Sequence, residues 1–284
     1  MSNGVKGGGG KGNQPGTYLV IPYYSGDEGV RPLPSSFPFW MCSSININGS
    51  PYAGQQLPVG ETVELTMDAI NYGSLTVPAL CLFFWANPTT SFTNTSVQLI
   101  GQAPLTLATD VLGTTTPVPW TVPTGTPAHI CLLAEINATA DPASGTYNAA
   151  SDRHYGQQNV QLASATPGGH IKIGFRMANG KATAARFRLE VTHVLINHPV
   201  FRPVIAENAL LVHAEEIHLS RTLAEPIGPT LHADLVAGEL LELELNARVP
   251  LDATPGSTIV LQLAQYEEDG KEPVGGLGVI VHVV

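Results

Sequence analysis

Asp152, Arg153, His154 and Tyr155 stand side by side in DRHYGQQNVQL, residues 152–162. A carboxylate, a guanidinium, an imidazole and a phenol in a row are parts of an acid–base site. Asp152 or His154 would take the proton, and an activated Ser, Cys or Thr would attack. The other parts are missing from the sequence. No Gly-x-Ser-x-Gly elbow, which presents a nucleophile on a strained turn, occurs in the chain. The four residues also close a long loop sequence, NATADPASGTYNAAS. The cluster is therefore expected to be a hydrogen-bond network that fixes the angle between two parts of the chain. No catalytic residue is assigned.

The other reactive groups fare no better. HVLINH and HAEEIH each place two histidines at i and i+5. On a strand that spacing puts them on opposite faces, and on a helix about 140° apart, so neither pair suits one metal. Asp27, Glu28, Asp141 and Asp152 lie in loop sequence but lack the D-x-D-x-D-G series of a calcium loop. GGGGKG imitates a phosphate-binding loop, yet Val5 stands where its first Gly belongs and Gly12 where Ser or Thr belongs. Cys42, Cys81 and Cys131 are an odd number, which argues against a disulfide framework. No cofactor and no metal is expected. Asn48, Asn94 and Asn137 stand in N-x-S/T sequons, which alone do not establish glycosylation.

The elements that would position these groups are strands. In ETVELTMDA, Val63, Leu65, Met67 and Ala69 face one way and Glu64, Thr66 and Asp68 the other. HIKIGFRM, ARFRLEVTHV and GELLELELNARV alternate in the same manner, and VPALCLFFW and HICLLAEI are more evenly apolar. Gly, Pro, Asn or Ser bounds each run, and TTTPVPWTVP cannot be helix. ENALLVHAEEIHL has no opening cap and is read as strand. The expectation is an all-β chain of two consecutive antiparallel sandwiches. The first covers 17–166 and the second 167–284, hinged in SATPGG, after a flexible Gly-rich tail at 1–16.

The composition fits that architecture. Only 13% of the 284 residues are charged, about half the usual share, and the surface must be built from Thr, Ser, Asn and Gln. The net charge of −10 is shared evenly between the two halves, with no run of Lys or Arg, which speaks against nucleic acid as a partner. No apolar run is long enough for a membrane helix, and the first residues do not read as a secretory signal. TYLVIPYY differs from the tail before it. Tyr18, Val20, Ile21, Tyr23 and Tyr24 make a strand able to add to a sheet edge of its own chain or of a neighbour's.

LPVGETVELTMDAINYGS, LFFWANP and VPWTVPTGTPAHICLLAEINATADP, taken in order, resemble the Ig-like cell-adhesion-related modules of bacterial surface proteins. GELLELELNARVPLDATPGSTIVLQLAQ and GGLGVIVHV resemble the bacterial Ig-like domain that often follows them. The resemblance implies two Ig-like sandwiches and a non-catalytic, structural or adhesive role at a cell surface. It implies that Gln157 and Asn159 begin the closing strand of the first module, and with Asp152, Arg153, His154 and Tyr155 they make up the expected junction network. It also places Cys81 and Cys131 on neighbouring strands, where buried unbonded thiols are expected. The expected partner is a copy of the chain or a protein of a larger assembly; the alternative is a module that recognises a glycan or protein. Trp40, Trp85 and Trp120 separate the two, because buried rings fit a structural role and an exposed aromatic platform fits glycan binding.

Overall fold

The computed structural model describes residues 16–33, 37–52, 54–127, 129–195, 199–206, 208–221 and 227–284. The Gly-rich tail lies outside these residues apart from Gly16. The first half contains β1 (Leu19–Val20), β2 (Ile45–Ile47), β3 (Ser50–Pro51), β4 (Thr62–Asn71), β5 (Val77–Ala86), β6 (Gln98–Leu107), β7 (Leu112–Thr114), β8 (Val118–Thr121), β9 (Cys131–Asn137) and β10 (Tyr155–Gln158). The second contains β11 (Val160–Ala165), β12 (His170–Ala178), β13 (Ala185–His193), β14 (Glu215–Arg221), β15 (Thr230–Leu235), β16 (Leu240–Arg248), β17 (Thr258–Glu267) and β18 (Pro273–Val283). Helix among the described residues is one 3₁₀ turn, Pro199–Phe201. The chain is all-β, as its alternation requires.

Two sheets close the first sandwich. β4 is the hub of one, pairing with β1, β2, β7 and β8, while β3 pairs with β2. The other runs β10-β9-β5-β6. Val63, Leu65, Met67 and Ala69 of β4 point inward as the period of two demands, and meet Cys81, Phe83, Ala134 and Ile136 in one core. In the second sandwich a sheet of order β11-β18-β17-β13-β15 packs on β12-β16-β14. Ile171, Ile173, Phe175 and Met177 of β12 and Leu243, Leu245 and Ala247 of β16 supply the inner layer.

β17 and β18 are buried on both faces, which is why their sequences are apolar almost throughout. Leu261, Leu263, Leu277, Val279 and Val281 face the second core. Val260 and Ile280 face the other way and belong to the core of the first sandwich. The sandwiches therefore share apolar surface, and what seals that surface decides how they are held.

The structure sharpens two details of the sequence reading. The expected hinge was SATPGG, with QNVQLA closing the first sandwich. Pairing splits that stretch: β10 pairs with β9 in the first sandwich, whereas β11 lies parallel to β18 in the second. The crossing falls at Asn159, because β18 offers an open edge directly after β10 ends. TYLVIPYY forms only the two-residue β1, on β4 of its own chain, through Leu19↔Asn71 and Val20↔Ile70. Leu19, Val20, Ile21 and Tyr23 are fully buried there, and Tyr24 alone keeps substantial exposure, at 38%. The segment thus adds to a sheet edge of its own chain, one of the two placements its sequence allowed.

Candidate functional site

The loop between β9 and β10 folds back over the outer face of its own sheet. Tyr147 packs edge-on against Phe84 at 5.7 Å and against Tyr155 at 5.8 Å, and the Tyr155 hydroxyl accepts the Gly145 N–H (3.0 Å). This covering brings Asp141 against the residues that ended the quoted loop. His154 is almost wholly buried, and its two ring nitrogens face two carboxylates. Nδ1 is 2.7 Å from Asp152 Oδ1 and Nε2 is 3.2 Å from Asp141 Oδ1, the latter without hydrogen-bond alignment. Asp152 also accepts the backbone N–H of His154 (3.0 Å) and of Ser144 (2.9 Å). Burial alone would raise the Asp152 pKa; the donors from His154 and Ser144 outweigh it and hold the carboxyl well below its ordinary value.

Asp141 and Arg153 are turned toward the start of the chain. Asp141 Oδ2 accepts the Leu19 N–H (2.6 Å), and Oδ1 pairs with the Arg153 guanidinium (2.6 Å). That guanidinium lies 4.0 Å above the Tyr18 ring, and the Arg153 carbonyl accepts the Ile21 N–H (2.9 Å). β1 has only two ladder pairs, so these side chains supply the hydrogen bonds that a longer strand would draw from a neighbour. Neither nitrogen of His154 is hydrogen-bonded to a hydroxyl or thiol among the described residues, and the proton-accepting half of a nucleophilic dyad has no nucleophile there. An open cleft of about 400 Å³ runs beside the cluster, lined by Tyr18, Val30, Arg31, Asp152 and Arg153 among others. Arg31 is itself held in a buried ion pair with Asp27 (3.0 Å).

Asp152, Arg153, His154 and Tyr155 thus pin the amino-terminal segment and the covering loop within the first sandwich. Of the six residues expected to form the junction network, Gln157 and Asn159 are the two that reach across it. Gln157 Nε2 donates to the Gly276 carbonyl (2.7 Å), and its backbone N–H donates to the Tyr23 hydroxyl (2.9 Å). Asn159 is used in every direction. Its Nδ2 donates to the carbonyls of Thr89 (2.6 Å) and Gly276 (2.7 Å), and its Oδ1 accepts the Cys131 S–H (2.6 Å). Its backbone N–H donates to the Trp40 carbonyl (2.8 Å), and its own carbonyl accepts the Gly278 N–H (2.9 Å).

Three glycines on β18 let the first sandwich approach this closely. A Cβ on Gly278 would lie 2.2 Å from the Trp40 ring, one on Gly275 1.9 Å from the Thr90 carbonyl, and one on Gly276 2.6 Å from the Phe39 ring. Trp40 fills the space over Gly278, donates from Nε1 to Gln262 Oε1 (3.0 Å), and stacks at a tilt on Phe201, 5.7 Å away. Beside it Thr90 Oγ1 donates to Gln265 Oε1 (2.6 Å), and Gln265 Nε2 donates to the Ala178 carbonyl (2.8 Å). Residues 88–90 pair in parallel alongside β12 through Arg176 N–H to Pro88 O (2.9 Å) and Thr90 N–H to Arg176 O (2.8 Å).

The remaining candidates resolve simply. Cys81 on β5 and Cys131 on β9 sit on paired strands, and all three cysteines are buried and unbonded. Burial pushes each thiol up to about 12, away from nucleophile range. Trp40, Trp85 and Trp120 are 0%, 8% and 8% exposed, and the last two stack on each other with centroids 6.0 Å apart. No group of three or more metal-ligating side chains occurs among the described residues. The sequence did carry a signal for the junction. Glycines interrupt GGLGVIVHVV, an otherwise apolar strand, and mark a backbone that something approaches closely.

No family model matches the chain, and no curated protein matches it. Solved structures give distant likenesses. The CupB6 tip adhesin from Pseudomonas aeruginosa is 10% identical, with a TM-score of 0.25 over 85% of this chain and 99% of that one. The collagen adhesin of S. aureus is 8% identical, with a TM-score of 0.23 over 85% of this chain and 93% of that one. A family 123 glycoside hydrolase from Clostridium perfringens is 13% identical, with a TM-score of 0.30 over 45% of this chain; the match spans about a quarter, 23%, of the hydrolase. These neighbours include bacterial adhesins, and at such scores they carry no argument about activity.

Proposed function

We propose that this chain is a non-catalytic structural or adhesive protein. In this reading two immunoglobulin-like modules, akin to cell-adhesion-related domains, act as one unit that associates with copies of itself or with a larger surface assembly. The observation that carries the reading is how the reactive-looking residues are spent. Asp141, Asp152 and Arg153 are engaged with the chain's own backbone and side chains, and His154 is enclosed between two carboxylates. The buried tryptophans add support, since they leave no aromatic platform of the kind a glycan site uses.

Sedimentation velocity over a concentration series is the test, paired with assays against ester, peptide and glycoside substrates. Concentration-dependent oligomers with no turnover are expected. A chain that stays monomeric and shows turnover abolished by Asp152→Ala, with folding intact, would overturn the proposal.

A further inference from the structure

β13 ends at His193, and its Nε2 accepts the backbone N–H of Ala214 at 2.8 Å. A nitrogen that accepts carries no proton, so this ring is neutral with its hydrogen on Nδ1. Ala214 is buried one residue before β14 begins, and its N–H has no water to fall back on. The His213 ring stands 4.5 Å from that of His193, tilted by 56°. The bond therefore closes a long excursion of the chain on itself.

What the excursion carries gives the bond its consequence. Both flanks attach to β17: Val194 N–H donates to Val260 O (2.9 Å) and Val212 N–H to Thr258 O (3.0 Å). Between them Val200, Phe201 and Ile205 leave the second sandwich and enter the core of the first, with Phe201 against Trp40. We propose that His193 and His213 form an acid-sensitive clip that holds this Phe201 plug in the junction between the sandwiches. Protonation of His193 places a hydrogen on Nε2, expels the Ala214 N–H from its acceptor among the described residues, and puts a positive charge beside the His213 ring.

Among the described residues the surroundings do not supply a countercharge. His213 is the titratable neighbour from the segment entering β14. β17, paired with the end of β13, presents Leu261 opposite His193, with Val260 and Gln262 beside it. The carboxylates that follow Ala214, Glu215 and Glu216, are each 2.8 Å from the Arg248 guanidinium. Burial, and then His213, hold the His193 pKa below its ordinary value. The unfolded chain thus binds this proton at higher pH than the folded one. The stabilisation is complete above the ordinary value of about 6.5 and is lost as pH falls below it.

Amide exchange of the full chain, followed by NMR between pH 7.5 and 5 and corrected for intrinsic rates, tests the clip. Protection at Ala214 is expected to fall by up to about tenfold per pH unit, the limit for one linked proton. Protection at Gly278, whose N–H is held by Asn159 across the junction, is expected to fall with it. His193→Gln keeps an acceptor that does not titrate, and should flatten both profiles. Unchanged protection at Ala214, or an equal slope in H193Q, overturns the clip; loss at Ala214 with Gly278 unmoved overturns its hold on the junction. Should H193Q fail to fold, the His193 ring titration in the unaltered chain decides: a midpoint below the ordinary histidine value supports the clip, and one at or above it overturns it.

Discussion

Residues 141–154 and residues 157–159 are neighbours in sequence and hold different things by different means. The first group uses charge: two carboxylates, a guanidinium and an imidazole clasp the amino-terminal segment at the rim of one sandwich. The second uses two neutral amides, which reach into a joint made otherwise of glycine, tryptophan and backbone. The division follows from desolvation. A charge taken fully out of water costs several kcal/mol unless it is paired well, whereas an amide loses far less and offers both donors and an acceptor. The rim tolerates charge because it keeps some water: the Arg153 side chain is 24% exposed and that of Asp141 11%. At the joint Gln157, Asn159 and Gln265 are as buried as the core around them. Residues that look reactive here serve as pegs, and residues that look inert carry the architecture.

The largest effects should come from the glycines. Gly278→Val places two methyl groups where the Trp40 ring lies, and a loss of about 3 kcal/mol or more is expected in urea unfolding. Trp40→Leu, made on top of it, should return part of that loss by vacating the ring. Gly275→Ala meets the Thr90 backbone instead and should not be rescued by the same change. If G278V is as stable as the unaltered chain, the close approach at β18 is not what holds the sandwiches.

Asn159→Ala should come next, costing about 1–3 kcal/mol, because in a dry site the Thr89 carbonyl loses its side-chain donor, the Gly276 carbonyl one of its two, and the Cys131 thiol its nearer acceptor. It sharpens the comparison through its location: exchange should rise on both sandwiches, at Trp40 and at β18. A response confined to one sandwich would make Asn159 a local residue like those of the rim.

Asp152→Ala should be the mildest, about 1–2 kcal/mol, with exchange rising in the covering loop around Ser144 and not at the joint. Its pH signature has a definite sign. The Asp152 carboxyl is held below its ordinary value in the folded chain. Its stabilisation is therefore present above about 3.9 and fades as pH falls from there toward the lower folded value. The Asp152→Ala chain should lose less stability than the unaltered chain between pH 4 and 2; parallel acid profiles would remove Asp152 from the account.

How much of this was legible in the sequence differs element by element. β4, β12 and β16 could be read directly, since one face of each meets water and alternation of polar and apolar residues is the physical record of that. The pairing of Cys81's strand with that of Cys131 followed from the likeness to Ig-like modules and holds in β5 and β9. The end of the first sandwich was misplaced by several residues. QNVQLA is one unbroken strand sequence, and nothing local records that Asn159 turns it from one sheet to another.

Composition and period determined that this chain is all strand, sparsely charged, and built around two cores. They could do so because secondary structure and burial on a single face are set by residues two apart. Which residues join the cores was decided only in three dimensions. The side-chain partners of Asn159 stand 28 to 117 positions away, and Trp40 finds Gln262 across 222. A neutral amide or a glycine has the same appearance in a loop, a strand or an interface. It acquires a role only when folding brings a carbonyl to the amide, or an indole ring to the space that a side chain would have filled.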